Sequence, residues 1–392
     1  MSKTASESII SHDWFRGFPK PPAYAGRKDA MEIRRMLAGA NHYYQGTDIL
    51  DKVGEEAQEK GWTRALVLGG RKALSAAWPA VENGLRRQNI QALVQVYEGF
   101  TTAEDIDAYA ALCAKENCSG IIGIGGGKIM DLAKAAAVIA GKPVFTVPTS
   151  AATCAAYAPL SVVYTSAGQQ AGIRFHDREV DAVFVDLRII ANAPVRLLAA
   201  GMADAMAKTC EYSSTHKQLH YGDIDTAKYC GYCLSRSADE ILLQCGAQAY
   251  QDVLENKVSP ALEDAVFASI AVIGVVSGMC GYTNKPGGRF AIAHGFNEII
   301  RGRWEKDPRK FLHGELVAVG ILAQLYVNGL DEGYIAQVRE FFQAIHVPCT
   351  LTDLGIVLDD RELEIFSGEI IGNSSIGATH GEQIRAAIRR VR

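Results

Sequence analysis

A glycine cluster between a short apolar run and an alanine-rich run constrains this chain more than any other feature. Ile121-Ile-Gly-Ile124 leads into Gly125-Gly126-Gly127-Lys128 and then into Ile129–Ala140. The first run reads as a strand buried on both faces, the last as a helix. Glycines between them permit a sharp turn and let backbone N–H groups meet an anion at the helix N-terminus. Taken alone, the segment is equally a plain tight turn. It is neither the GxGxxG fingerprint nor a P-loop, since no GK[ST] follows. Asp131, one turn into the helix, either bonds back to the loop or favours the helix N-terminus through its charge.

The same alternation runs through the first half. Ala65–Leu68 reads as a buried strand, Leu74–Arg87 as a helix, Ala92–Val96 as a strand. Ala103–Lys115 is a helix capped by Thr101 or Thr102, and Pro143–Val147 is the next strand. A hairpin is expected at Ser161–Tyr164 with its turn at Ser166–Gly168, then a strand at Ala182–Val185. This order predicts an α/β domain with a parallel sheet covered by helices. After Ala193-Pro194 helical periodicity dominates, over 199–213, 237–254, 260–281, 312–328 and 333–345. The expected division is an α/β domain at 1–190 and an all-α domain at 191–392, sharing a cleft. At 392 residues, two domains are the first expectation.

A net charge of −4 offers no basic field for nucleic acid or anionic lipid. Small molecules and copies of the same chain are the expected partners, as a homo-oligomer. Nine scattered cysteines suit reduced thiols and the cytoplasm, with Cys230 and Cys233 expected as small buried residues. The N-terminus lacks the apolar core of a signal peptide, and residues 1–40 read as an arm that packs on a partner subunit. Ala265–Tyr282 reads as a buried helix rather than a membrane span.

The glycine segment in its setting, Gly125-Gly-Gly-Lys-Ile-Met-Asp131-Leu-Ala-Lys134, resembles the GGGxxxDxAK element of the iron-containing alcohol dehydrogenase superfamily. Val147-Pro148-Thr149, Asp186, Ala200-Gly-Met-Ala-Asp204-Ala, His294 and His313-Gly-Glu315 extend the resemblance over roughly residues 40–345. It implies a dehydroquinate synthase-like α/β domain binding NAD or NADP through Gly70, Gly125, Gly126, Gly127, Lys128, Asp131, Thr149, Thr153 and Ser161. In this fold the first strand ends near a carboxylate that meets the adenosine ribose. Here the chain reads Gly69-Gly70-Arg71-Lys72, so Arg71 and Lys72 favour a 2′-phosphate, hence NADP over NAD.

Asp204, His294 ninety residues on, and His313 nineteen further suit Zn²⁺ or Fe²⁺ with coordination open for substrate. Spacing alone does not join them; the resemblance does, because they match the family's ligands and so its catalytic centre. Two departures stand out. Lys208 replaces a histidine one turn after the aspartate, as in the glycerol dehydrogenase branch. No second histidine follows His294 within His294-Gly-Phe-Asn297-Glu298. His216 and His220 lack the glutamate of HExxH and read as surface residues.

Substrate is read from Ala152-Thr153-Cys154-Ala-Ala-Tyr157-Ala-Pro-Leu-Ser161, where Cys154 stands in place of the aspartate that meets the polyol in glycerol dehydrogenases. This resembles the hydroxycarboxylate dehydrogenase branch and implies a small 2-oxo acid or aldehyde. Lys208 or Arg174 either meets the acid's carboxylate or is structural, and Tyr157 either lines the pocket or is a packed aromatic. Glycerol or another vicinal diol is the alternative. A dehydroquinate synthase-like lyase lacks its Gly-Gly-Lys-x-x-x-Asn stretch here, and a non-catalytic dinucleotide binder fits poorly with three retained ligand positions. The charged segment Arg301–Lys310 reads as a solvated loop or a lid.

Overall fold

The computed structural model describes residues 37, 39–214, 218–279, 291–304 and 310–392. Nearly all of the expected N-terminal arm, His216, Cys280 and residues 305–309 of the 301–310 loop lie outside them.

In chain order the first half holds β1 (His42–Gly46), α1 (Lys52–Glu59), β2 (Arg64–Gly69), α2 (Arg71–Arg87), β3 (Gln91–Val96), α3 (Ala103–Lys115), β4 (Gly120–Gly125) and α4 (Gly127–Ala140). Then come β5 (Val144–Pro148), β6 (Leu160–Tyr164), β7 (Gln170–Phe175), β8 (Ala182–Asp186) and α5 (Leu187–Ala191). Six strands form one sheet in the order β1-β8-β5-β4-β2-β3, every pair parallel. Strands β4, β5 and β8 are buried along their whole length and β2 nearly so, which explains apolar runs without alternation. The pleat still sorts the side chains. Ala65 and Val67 join the core beneath α1 and α2, while Leu66 and Leu68 face the opposite core. Thr102 caps α3, its hydroxyl accepting from the Asp105 N–H at 3.1 Å. Strands β6 and β7 form the expected antiparallel hairpin, turning near Gly168 at φ +83°.

The second half is helical: α6 (Val195–Ser213), α7 (Thr226–Leu254), α8 (Pro260–Phe267), α9 (Ile273–Met279), α10 (Ala293–Ile299), α11 (His313–Val327), α12 (Glu332–Ala344), α13 (Asp360–Asn373) and α14 (Gly377–Arg390). A π-helical stretch, Ala268–Val272, joins α8 to α9, and another, Ile300–Trp304, continues α10. Pro260–Met279 is long and apolar enough to cross a membrane by composition, yet most of it is buried inside the fold. The core under α3 and α4 runs without a break into the helices from α6 onward.

Sequence reading overlooked several elements. It placed nothing at β1, whose His-Tyr-Tyr-Gln-Gly lacks β-branched residues, and nothing at the short α1 and α10. It stopped at 345, before α13 with its Asp359/Glu362 capping box. Cys230 and Cys233, expected inside, are exposed free thiols on the outer face of α7, where Gly231 and Tyr232 turn inward instead.

Candidate functional site

Three helices deliver the expected ligating side chains to one point. Asp204 lies mid-way along α6, within the fully buried run Leu198–Ala207. His294 stands in the first turn of α10, and His313 opens α11. One ligand atom from each lies within 4.8 Å of the others. Asp204 Oδ1 is 3.1 Å from Nε2 of His313 and 3.6 Å from Nε2 of His294. That oxygen is buried and makes no well-aligned hydrogen bond. An orphaned buried carboxylate oxygen facing two imidazole nitrogens is the donor set a divalent cation takes, and the residues fit one.

Close packing fixes the triad. A Cβ added at Gly314 would fall 1.8 Å from the Ala200 carbonyl oxygen, so only glycine lets α11 start this close to α6. A Cβ at Gly201 would fall 1.7 Å from the Ala151 carbonyl oxygen, which brings the segment after β5 against α6. Polar contacts hold the same junction. Arg196 on α6 donates from Nε and Nη2 to Glu315 at 2.5 and 2.7 Å. The buried Glu315 carboxylate also accepts the Leu312 N–H at 2.8 Å. A bidentate charged pair thus ties the start of α11 to the helix bearing Asp204.

Glu211 is the residue that sequence reasoning missed. It lies two turns after Asp204 on α6 and is nearly buried. Its Oε2 is 2.6 Å from Nδ1 of His294, and its Oε1 accepts the His294 backbone N–H at 3.0 Å. With Nδ1 engaged by Glu211, Nε2 faces Asp204 and is the nitrogen left for a metal, the arrangement that orients a metal-bound histidine. Burial opposes a charge on His294, but the carboxylates of Glu211 and Asp204 together outweigh it and bring the imidazole up to about 9. Asp204 is likewise buried, yet the adjacent His313 and His294 hold its carboxyl well below the usual range. A carboxylate at i+7 from Asp204 in an apolar helix was the available signal.

Lys208, one turn after Asp204, shares this face, and its charge acts on His294, Glu211 and Cys154. Cys154 lies nearby, 3.7 Å from the Ser277 hydroxyl, its thiol pushed up by burial. Tyr157 is buried in the core. Its ring packs edge-on to Tyr43 at 5.8 Å and fills the space beside Gly274, a core position set by the aromatic ring's area. Arg174 lies opposite Ser161 in the β6–β7 ladder, and its charge acts on His176. His220 is exposed and outside any helix.

A cleft of about 1240 Å³ opens at the C-terminal ends of the strands. Gly70, Arg71, Lys72, Gly126, Lys128 and Thr149 of the expected set line it, and it reaches Pro194 and Leu197 at the start of α6. Gly126 precedes α4 in an extended conformation with no side-chain cap, leaving the helix N-terminus open to an anion. The Thr153 hydroxyl lies beside Gly127, where a Cβ would meet it at 3.3 Å. The Lys128 ammonium stands 4.0 Å from the centre of the Phe100 ring. Gly125 serves packing, since a Cβ there would fall 2.8 Å from Ile129.

Two members of the expected cofactor set turn away from the cleft. Ser161 is fully buried, donating to the Asp131 carbonyl oxygen at 2.8 Å with its hydroxyl 2.8 Å from His176 Nε2. The Asp131 side chain is buried 3.1 Å from Lys134 Nζ, which also donates to the carbonyls of Ala158 and Leu160. Both pin the β6–β7 hairpin to α4. A buried carboxylate and ammonium are stable there only because each answers the other.

Residues 40–187 match the family model described as iron-containing alcohol dehydrogenase. A glycerol dehydrogenase of Escherichia coli O6:H1 is 31% identical over 365 residues, covering 90% of this chain and 95% of that protein. The chain belongs to the iron-containing alcohol dehydrogenase family. With it the chain is a metal-containing oxidoreductase. Hydroxycarboxylate dehydrogenase A of Escherichia coli K12 is 29% identical over 327 residues, covering 83% of this chain and 87% of that protein. The crystal structure of a probable glycerol dehydrogenase from Sinorhizobium meliloti superposes with a TM-score of 0.76 at 26% identity, covering 92% of this chain and 98% of the other. In this member of the iron-containing alcohol dehydrogenase family, the helix that bears Asp204 begins at the cleft, where Pro194 and Leu197 line it.

Proposed function

We propose that this chain reduces a small 2-oxo acid to the 2-hydroxy acid, using NAD(P)H and one divalent cation, Zn²⁺ or Fe²⁺, held by Asp204, His294 and His313. The observation that carries the reading is the orphaned Asp204 Oδ1 between two imidazoles, one of them locked by Glu211. When bound, the cation supplies Lewis acidity toward a carbonyl or alkoxide oxygen, and the dinucleotide supplies or takes up the hydride.

The chain's own residues do the rest. Asp204 stays ionised because His313 and His294 offset its burial. Glu211 fixes the ring of His294 and its tautomer. The open N-terminus of α4, with Lys128 and Thr149, receives the pyrophosphate. Lys208 supplies a positive charge to the wall that carries Asp204, and the neutral Cys154 removes a repulsion that an anionic substrate would otherwise meet. These two residues favour a 2-oxo acid.

Glycerol or another vicinal diol is the second reading, favoured by the glycerol dehydrogenase relative. The deciding assay follows NADPH and NADH oxidation with 2-oxobutyrate and dihydroxyacetone in parallel, on protein of measured metal content. A higher kcat/KM for 2-oxobutyrate supports the first reading. Turnover of dihydroxyacetone alone restores the polyol. We further propose the division at residue 190, a homo-oligomer without nucleic-acid or membrane partners, and a cytoplasmic setting. The charge of −4 and the free described cysteines support the last two points.

A further inference from the structure

The cleft carries a charge pair that the hydride chemistry above does not use. Strands β2 and β3 run parallel with Gly69 opposite Val96, so both leave the sheet at the same end. Tyr97 continues the ladder, donating its N–H to the Gly69 carbonyl oxygen at 2.9 Å. Its ring is buried, and its hydroxyl contacts Asp105 and the Phe100 carbonyl. Those contacts fix the turn that presents Glu98. The Glu98 carboxylate then lies 3.4 Å from Nε of Arg71, the first residue of α2, and both line the cleft beside Gly70.

The end of β2 itself has no acidic side chain, reading Gly69-Gly70-Arg71-Lys72. A strand end at this edge of a parallel sheet is where the adenosine ribose of a dinucleotide rests. The sheet therefore imports from β3 the carboxylate that β2 lacks.

We infer that Glu98 is the residue that sets which dinucleotide this chain takes, favouring NAD(H) over NADP(H) and so reversing the expectation drawn from Arg71 and Lys72 alone. It offers an acceptor to ribose hydroxyls, restrains Arg71, and repels a 2′-phosphate. The inference rests on the dinucleotide reading of the cleft. Both groups of the pair are more than half exposed, so the effect is modest and sensitive to salt.

The test is a fluorescence titration of the wild-type protein with NADH and with NADPH, repeated for E98Q and R71A, at low and high salt. Circular dichroism confirms that each variant is folded. In E98Q the Kd for NADPH should fall about 5-fold to 20-fold while that for NADH changes by less than about 3-fold. In R71A the NADPH Kd should rise by a similar factor. High salt should compress both differences. An E98Q ratio of NADPH to NADH affinity within about 2-fold of wild type overturns the role of Glu98 while leaving the dinucleotide reading intact. Failure of the wild-type protein to bind either dinucleotide overturns both.

Discussion

Around Asp204 the charged groups Glu211, His294 and Glu315 are buried or nearly so, and each is tied to a named partner at 3.6 Å or less. Around Arg71 the partners stand in water, 75% and 55% exposed. The triad depends on helices packed so closely that a methyl group cannot enter, whereas the cleft rim depends on charges that salt can screen. Buried geometry of the first kind tolerates little change and defines what the protein does. The second kind is adjustable, and adjusts which dinucleotide it does it with.

The largest expected effect comes from breaking the buried side. Asp204→Ala removes the shared carboxylate, and we expect at least about a thousandfold loss of kcat/KM with metal absent by elemental analysis. Retention of both metal and turnover would refute the triad. Gly314→Ala forces a Cβ against the Ala200 carbonyl, so α11 must shift. Thermal unfolding should report a loss of about 2–4 kcal/mol, and metal occupancy should fall with it. An unchanged melting temperature would show that the contact gives way easily.

A finer cut is Glu211→Gln. It keeps the shape but weakens the grip on His294 Nδ1, and competition with a chelator should show about 10-fold to 100-fold weaker metal binding in folded protein. Equal affinity would make Glu211 a packing residue. The smallest effect, and the one that places Lys208 on one side of the comparison or the other, is Lys208→Met. We expect kcat/KM for 2-oxobutyrate to fall about tenfold while that for dihydroxyacetone changes less than threefold. An equal loss on both substrates would make Lys208 part of the metal-site scaffold.

The two regions were not equally legible in the sequence. Buried parallel strands announce themselves as apolar runs, and the glycine cluster marks one strand–helix turn, so β2, β4, β5 and α4 were read nearly to the residue. Asp204, His294 and His313 are far apart in the chain, and only the family resemblance joined them. Glu211 needed knowledge of what α10 packs against. Glu98 needed the β2–β3 register, since nothing local brings residue 98 to residue 71. The side chains of Asp131, Ser161 and Tyr157 could not be placed from the sequence for one reason: a motif position says which loop a residue belongs to, not which way its side chain turns. All three turn inward to hold the hairpin and the 260–279 helix. Helices α13 and α14 lay beyond the resemblance, and α13 announced itself only through its capping box.

The separation of the three ligands along the chain also governs when the site can exist. Asp204 leaves the ribosome 109 residues ahead of His313. At ordinary elongation rates that interval is roughly 5–20 s. A nascent chain arrested before residue 294 presents a single carboxylate and no imidazole from this set. On the proposed triad, metal capture waits until residue 313 has been made, by which point all six strands of the parallel sheet have been synthesised.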